Sequence, residues 1–289
     1  MTKFKLLLKN PILDSYKHLL LNDNYVTEIL GYAPAIPNIQ NKPFIFSCFA
    51  LSVDGKLYYP DARSGFSIAS SNIHATEEEK KADLFILMLA RTIADAIIVG
   101  SNSLKNEHGN FLPDIADSKL QNIHYNRTGS LLPTAFVICR DLSNINFSDK
   151  LFSNDSHQVV ICCINNHVNL AKLPNTYEQI NFTNWINKQA LKLKNILICN
   201  TLDELILKMH KVGFNIILNE SPYFHHQLLQ LKLLDEIWVN YSGSYIGGNL
   251  NGLGGAQKPF NSNNHPDCEL LTLHTIGYNF IYTRQKILY

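Results

Sequence analysis

Residues 76–104 read TEEEKKADLFILMLARTIADAIIVGSNSL, and this stretch decides the fold. Thr76-Glu77-Glu78-Glu79 is a capping box: the threonine hydroxyl accepts from the third amide and Glu79 reaches back to the amide of Thr76. Ala82, Phe85, Ile86, Leu89 and Ile93 follow at spacings of 3, 1, 3 and 4, which is one face of a helix. Ala94-Asp95-Ala96-Ile97-Ile98-Val99 then reads as a buried strand that Gly100 ends. A capped amphipathic helix thus feeds straight into a strand.

The same grammar extends outward. Upstream, Phe44–Leu51 is a β-rich run bounded by Pro43 and by Asp54-Gly55, a strand ending in a turn. Downstream, strands are predicted at Thr134–Ile138, Gln158–Ile164, Asn195–Cys199 and Phe214–Leu218. Thr201-Leu202-Asp203-Glu204 is a second capping box, with Leu202, Leu205, Ile206, Met209 and Val212 on one helix face and Gly213 at the C-terminal cap. Ser221-Pro222 opens a helix through about Leu233, with serine as N-cap and proline at the first helical position. Glu236–Tyr241, Glu269–Ile276 and Tyr278–Thr283 close the chain as strands, turning near Gly277. Strand–helix–strand units in series predict an α/β fold: a mixed, mostly parallel sheet with helices on both faces. Residues 1–42 stand apart, with a helix-like piece around Ser15–Leu21 and a loop-forming Ala33–Asn38, and read as an N-terminal extension packed on a main domain of residues 43–289. Gly247–Gly255 reads as a flexible loop.

The composition narrows the function. A hydrophobic fraction of 46% with 17% charged residues is ordinary for a globular protein with a sizeable core. The net charge of +1 and the lack of a basic stripe with interleaved aromatics argue against nucleic acid as a partner. No run approaches the roughly 18 apolar residues of a membrane span, and the three-leucine run near the N-terminus is too short for a signal-peptide core. The six cysteines sit mostly in apolar runs without C-x-x-C or Cys/His spacing, so they read as reduced thiols of a cytoplasmic protein rather than metal ligands.

In an open α/β sheet, ligands bind beyond the carboxyl ends of strands. Three such places stand out. Ser52-Val53-Asp54-Gly55-Lys56 puts a carboxylate and an ammonium two residues apart on a turn, suited to a polar heterocycle or a sugar hydroxyl, though Asp-Gly is also common turn chemistry. Gly100-Ser101-Asn102-Ser103-Leu104 offers hydroxyls and amides for phosphate or ribose oxygens, or is simply a polar connection from strand to helix. Asn219-Glu220-Ser221-Pro222-Tyr223 precedes a helix whose free amides favour a phosphate, or is a plain helix cap. There is no H-E-x-x-H, G-x-S-x-G or P-loop, and a metal site is not expected.

Taken in order, these pieces resemble the riboflavin pyrimidine-reductase family, whose domain has the dihydrofolate-reductase fold. Ser52-Val53-Asp54-Gly55-Lys56 matches the family's S-x-D-G-K after its opening strand, and Ser64-Gly65 matches the loop that follows. Arg91 and Ala94–Gly100 match a helix arginine running into A-D-A-[IV]-[IV]-V-G. Glu107 and Gly109 fall at the acidic and glycine positions, and Val137–Arg140 at the strand ending in arginine. Pro222, Leu233–Glu236 and Tyr245–Gly248 match the later helix start, L-[VL]-D-E and Gly-Gly loop, so that the resemblance covers about residues 43–286.

The resemblance implies NADPH lying along Gly100, Ser101, Asn102, Ser103 and Leu104 and against Ser221, Pro222 and Tyr223, with Arg140 facing the 2′-phosphate. Asp54 and Lys56 become the catalytic candidates, and Ser52, Glu107, Asn219 and Glu220 line the substrate side. The implied reaction opens a ribosylamino group to a ribitylamino group by hydride transfer, with Asp54, Lys56 or water completing the protonation. Two departures stand out. The family's E-G-G-P is here Asn219-Glu220-Ser221-Pro222, so two side chains stand where glycines would let the cofactor approach the backbone. The turns before Arg91 are mostly apolar, so the substrate lacks a phosphate or the site has decayed. The H-x-E and P-C-x-x-C motifs of the family's zinc deaminase domain are absent. A pterin or folate reductase, and a nucleotide-binding protein without catalysis, stay open as alternatives. A homodimer is implied by resemblance.

Overall fold

The computed structural model describes residues 3–164, 168–250, 252–254 and 257–289. The chain forms two compact units: residues 1–39, 44–90 and 222–289 make one, and residues 40–43 and 91–221 the other.

In the first unit five strands lie in the order Lys5–Lys9, Asp267–Ile276, Phe280–Leu288, Glu236–Ser242, Phe44–Ser52. The last two pair in parallel, with Trp238 beside Cys48, and the other neighbours are antiparallel. The hairpin between Ile276 and Phe280 turns at Gly277, whose φ of 55° lies in the left-handed region that suits glycine. The capping box at the start of the helix Glu77–Ile93 forms as the sequence predicts: Thr76 N donates to Glu79 Oε2 at 2.6 Å, and Glu79 N to Thr76 Oγ1 at 3.3 Å. The predicted apolar face of this helix is buried throughout.

The N-terminal segment differs from its prediction. The helix is not at Ser15–Leu21 but at Asn24–Leu30, where Asp23 caps it by accepting from Tyr25 N at 2.8 Å and Gly31 closes it. Val26, Ile29 and Leu30 give that helix a buried stripe, whereas Leu19–Leu20 pairs as a short strand with Ala35–Ile36. The segment is held by a buried ion pair. Arg284 donates to Glu236 at 2.8 Å and reaches Ala35 O at 3.0 Å and the Tyr32 hydroxyl at 3.3 Å, its guanidinium 4.9 Å from the Trp238 ring.

In the second unit the order is Ile216–Asn219, Ala96–Gly100, Thr134–Cys139, Val159–Ile164, Lys194–Cys199, Glu178–Ile180, and every pairing is parallel. Ala96–Gly100 and Thr134–Cys139 are buried at every residue, as happens when both faces of a parallel sheet are covered. Asp95 sets the register at the strand starts: its Oδ2 accepts from Asn215 N and Ile216 N at 2.8 and 3.0 Å, and its Oδ1 from Arg127 at 2.8 Å. Burial opposes that charge, yet Arg127 and Lys188 hold the carboxyl below the usual range. The helix Ser118–Thr128 and the strand Glu178–Ile180 were not predicted. The helix after Ser221 runs over Pro222–Gln230, ending before Leu233. Leaving aside the separate Leu19–Leu20 pair, six of the pairings given above are parallel and three antiparallel, so the fold is the α/β class expected, a mixed and mostly parallel sheet.

Candidate functional site

In the first unit the turn after Phe44–Ser52 is closed by its own side chains. Gly55 N donates to Ser52 O and Ser52 N to Lys56 O, both at 2.9 Å, with Gly55 at φ 76°. Ser52 is fully buried; its hydroxyl accepts from Lys56 N at 2.8 Å and donates to Asp54 Oδ1 at 2.7 Å. Asp54 also accepts from Ile246 N at 3.1 Å and Gly247 N at 2.8 Å, and Lys56 Nζ donates to Leu250 O at 2.9 Å. Val53 N to Ser244 O, at 2.9 Å, adds a fourth tie between this turn and the 244–250 loop. The Ser52 hydroxyl and the two loop amides hold the Asp54 carboxyl down at about 2. Asp54 is therefore an ionised staple at neutral pH and has no proton to give. Of the glycine-rich stretch 247–255, residues Asn251 and Gly255 lie outside the described residues.

In the second unit three neighbouring parallel strands bring the remaining predicted groups to their carboxyl ends. Gly100–Ser103 leaves the strand Ala96–Gly100 and enters the helix Ser101–Asn106. On one side, Gly100 pairs with Ile138, so Arg140 stands at the adjacent strand end, exposed, its charge helping to lower the pKa of the neighbouring Asp141. On the other, Asn219 pairs with Ile98 and leads into Glu220-Ser221. Asn102 is exposed and Ser101 is buried at the start of the helix. Leu104 departs from its predicted role in one respect: its side chain is 3% exposed inside the cluster of Val99, Val137 and Leu142, so only its backbone could meet a ligand. Glu107 caps the end of that helix.

The residues that replace the two glycines do not project freely. Asn219 is spent on its own turn, accepting from Ser221 N at 3.1 Å and donating to Ser221 O at 3.0 Å. Glu220 turns onto Arg91, which meets it two-pronged: Nε to Oε1 and Nη2 to Oε2, each at 2.8 Å, with both side chains under one-tenth exposed. Arg91 Nη1 continues to Leu112 O at 3.3 Å and Asp114 O at 3.0 Å. Asn219 and Glu220 thus each have protein partners at this strand end. Ser221 is 1% exposed. The partnership of Arg91 with Glu220 was not foreseen, because the residues stand 129 positions apart and only their being opposite charges flanked by apolar runs hinted at it. Pro222 and Tyr223 begin the helix Pro222–Gln230 of the first unit, and Tyr223 is half exposed.

Among the described residues no group of three or more His, Cys, Asp or Glu side chains is placed to hold a metal ion, and no helix is long and apolar enough to cross a membrane. Neither a family model nor a curated protein sequence matches the chain. Its fold is that of pyrimidine reductases of riboflavin biosynthesis, to which solved structures liken it. A pyrimidine reductase-like protein from Corynebacterium diphtheriae superposes with a TM-score of 0.59 at 18% identity, over 86% of this chain and 93% of its own. The diaminohydroxyphosphoribosylaminopyrimidine deaminase/5-amino-6-(5-phosphoribosylamino)uracil reductase of Thermotoga maritima gives 0.57 at 11% identity, over 91% of this chain and 59% of its own. RibD of Acinetobacter baumannii gives 0.57 at 16%, over 86% and 59% respectively. The chain therefore spans well under two thirds of these two longer proteins, and at such identities the likeness defines the fold.

Proposed function

We propose that this chain is an NADPH-dependent reductase acting on a pyrimidine ribosylamine or a related heterocycle. The observation that carries the reading is Arg140: a guanidinium exposed at a strand end beside the Gly100–Ser103 turn, next to the Asp141 carboxyl on which its charge acts. A guanidinium in that setting suits a phosphate monoester, the group that distinguishes NADPH from NADH. Backbone amides and hydroxyls of Ser101–Ser103 suit the remaining phosphate and ribose oxygens. NADPH would supply the hydride, and the protein would supply placement. In this reading Asp54 orients the Ser52–Lys56 turn rather than donating a proton, since its carboxyl is ionised down to about pH 2. Lys56 or water then completes protonation. A homodimer and a cytoplasmic location accompany the reading as expectations.

Thermal unfolding with NADPH, NADP⁺ and NADH tests it. A ligand at about 100 times its dissociation constant stabilises by roughly 2.7 kcal/mol, a readily measured rise in midpoint. The expected result is a rise with NADPH, little with NADH, and a loss of that preference in Arg140→Ala. Equal rises with both cofactors, or an unchanged preference in the variant, would overturn the assignment of Arg140. The substitution of both glycines motivates a second reading, a nucleotide-binding protein without catalysis. Consumption of reduced nicotinamide with a pyrimidine ribosylamine separates the two.

A further inference from the structure

The antiparallel part of the first unit's sheet has one buried face and one open face. Successive side chains of a strand point to opposite faces, and residues directly opposite on neighbouring strands share a face. Along Phe280–Leu288, the residues Phe280, Tyr282 and Arg284 are 1, 3 and 4% exposed. Ile281, Thr283 and Gln285, which alternate with them, take the other face. Register carries that face across the neighbouring strands. Leu8, Leu273 and Thr283 form one row, Lys5, Thr275 and Ile281 the next, and Leu270 and Gln285 a third. Ile281 is 45% exposed and Leu8 40%; Lys5 is exposed, and the rest are half-buried.

An antiparallel sheet with one face in water normally turns polar side chains to that side. Here four of the eight positions in these rows are leucine or isoleucine and two are threonine, whose branched shape suits a packed sheet. Lys5 is the one charge among them, and it stands at one end of the face. At the other end the strand Asp267–Ile276 begins with Asp267, whose side chain is 73% exposed. Lys5 pairs with Thr275, eight residues along that strand from Asp267, so the two charges are roughly 25 Å apart. Three strands about 4.8 Å apart over that length give a footprint on the order of 350 Å². An open apolar patch of a few hundred Å² marks a binding surface.

We propose that a second copy of this chain packs on this face, sheet against sheet, about a two-fold axis that crosses the strands. An isologous pair brings a patch against itself, and a patch with almost no charge meets its own image without repulsion. The axis direction follows from the two end charges. With the axis across the strands, Lys5 of each copy lies over the Asp267 end of the other. With the axis along the strands the two Lys5 ends would meet, which like charges disfavour. Aligned sheets pack about 10 Å apart, a spacing that the interdigitating leucines and isoleucines fill. The inference rests on the sheet and not on the reductase reading, and it gives the expected homodimer a particular face.

Sedimentation velocity of the full chain over a concentration series tests it. The unmodified chain should pass from monomer to dimer as concentration rises. Ile281→Asp should remain monomeric over the same series, with circular dichroism and the thermal midpoint reporting that it is folded. The end charges give a test that leaves the sheet untouched, since both side chains are exposed. Lys5→Glu and Asp267→Lys should each weaken the dimer roughly tenfold, and the double variant should restore it, because its pairs are only reversed. A monomer at every concentration would overturn the proposal, as would a dimer that Ile281→Asp leaves intact, which would lie on another face. A double variant no tighter than the singles would overturn the arrangement of the two copies. No cofactor enters these measurements, so failure here leaves the reductase reading standing, and failure there leaves this one.

Discussion

Replacing Arg91 by methionine tests the physics of the altered turn directly. Arg91 and Glu220 are 4% and 8% exposed and share two hydrogen bonds of 2.8 Å. At that distance the attraction is about 6 kcal/mol for an effective dielectric of about 20, and the cost of desolvating both ions offsets most of it. Removing one partner removes the attraction but leaves the Glu220 carboxylate buried, and also strands the carbonyls of Leu112 and Asp114. Such losses run to about 3–5 kcal/mol, or roughly 6–20 °C in Tm for a chain of this size. Glu220→Met alone should cost a similar amount. The double variant Arg91→Met, Glu220→Met should recover most of the loss, because no unpaired charge remains. Denaturant titrations of all four proteins close the cycle. If Arg91→Met costs less than about 1 kcal/mol, or the double variant loses the sum of the two singles, the pair does not hold this turn and the account is wrong.

Two further tests concern stability. Asp83 is buried against Asn240, whose Nδ2 donates to it at 2.9 Å, and burial raises its carboxyl from 3.8 to about 6. A raised acid is a liability above its folded pKa that fades as pH falls towards the unfolded value. Asp83→Asn should therefore stabilise by on the order of 3 kcal/mol at neutral pH and above, with the gain vanishing near pH 4; urea titrations across that range would refute this if the gain were pH-independent. Gly277→Ala should destabilise well beyond Gly55→Ala. Both have positive φ, but a Cβ at 277 would fall on Glu79 Oε1, the capping carboxylate, whereas at 55 nothing lies within 4 Å. The Gly55 variant should lose only about 1–2 kcal/mol, and equal losses in thermal unfolding would contradict the geometry.

The parts legible in sequence are those where local pattern and tertiary burial agree. The runs at 96–99 and 134–138 are apolar throughout because parallel strands covered on both faces need no polar side. The boxes at Thr76 and Thr201 announce helices because the caps are made by the residues themselves. Ser118–Thr128 escaped notice because only Leu120 and His124 are buried, too little for a stripe. The N-terminal helix was misplaced because Leu19 and Leu20 pair with Ile36 and Ala35 some sixteen residues on, a partnership that local pattern does not show. At the candidate site the sequence could name Asp54, Arg140 and the lost glycines. It could not say that Asp54 would be held by amides nearly two hundred positions away, with Gly247 at a separation of 193. Local patterns carry no information about such distant partners.

The pairing of Lys5–Lys9 with Asp267–Ile276 has a bearing on synthesis. The edge is sealed by Asn10, whose side chain meets Glu269 across a separation of 259 residues. A ribosome adding about 5–20 residues per second takes roughly 13–50 s to cover that interval. Throughout it the Lys5–Lys9 strand has been made and its partner has not. The unit of residues 40–43 and 91–221 suffers no such wait, since all its strands are out once residue 219 has cleared the exit tunnel. Vectorial synthesis therefore favours closure of the parallel unit while the antiparallel hairpin is still being made. The Lys5–Lys9 strand is therefore the element that waits longest for its partner.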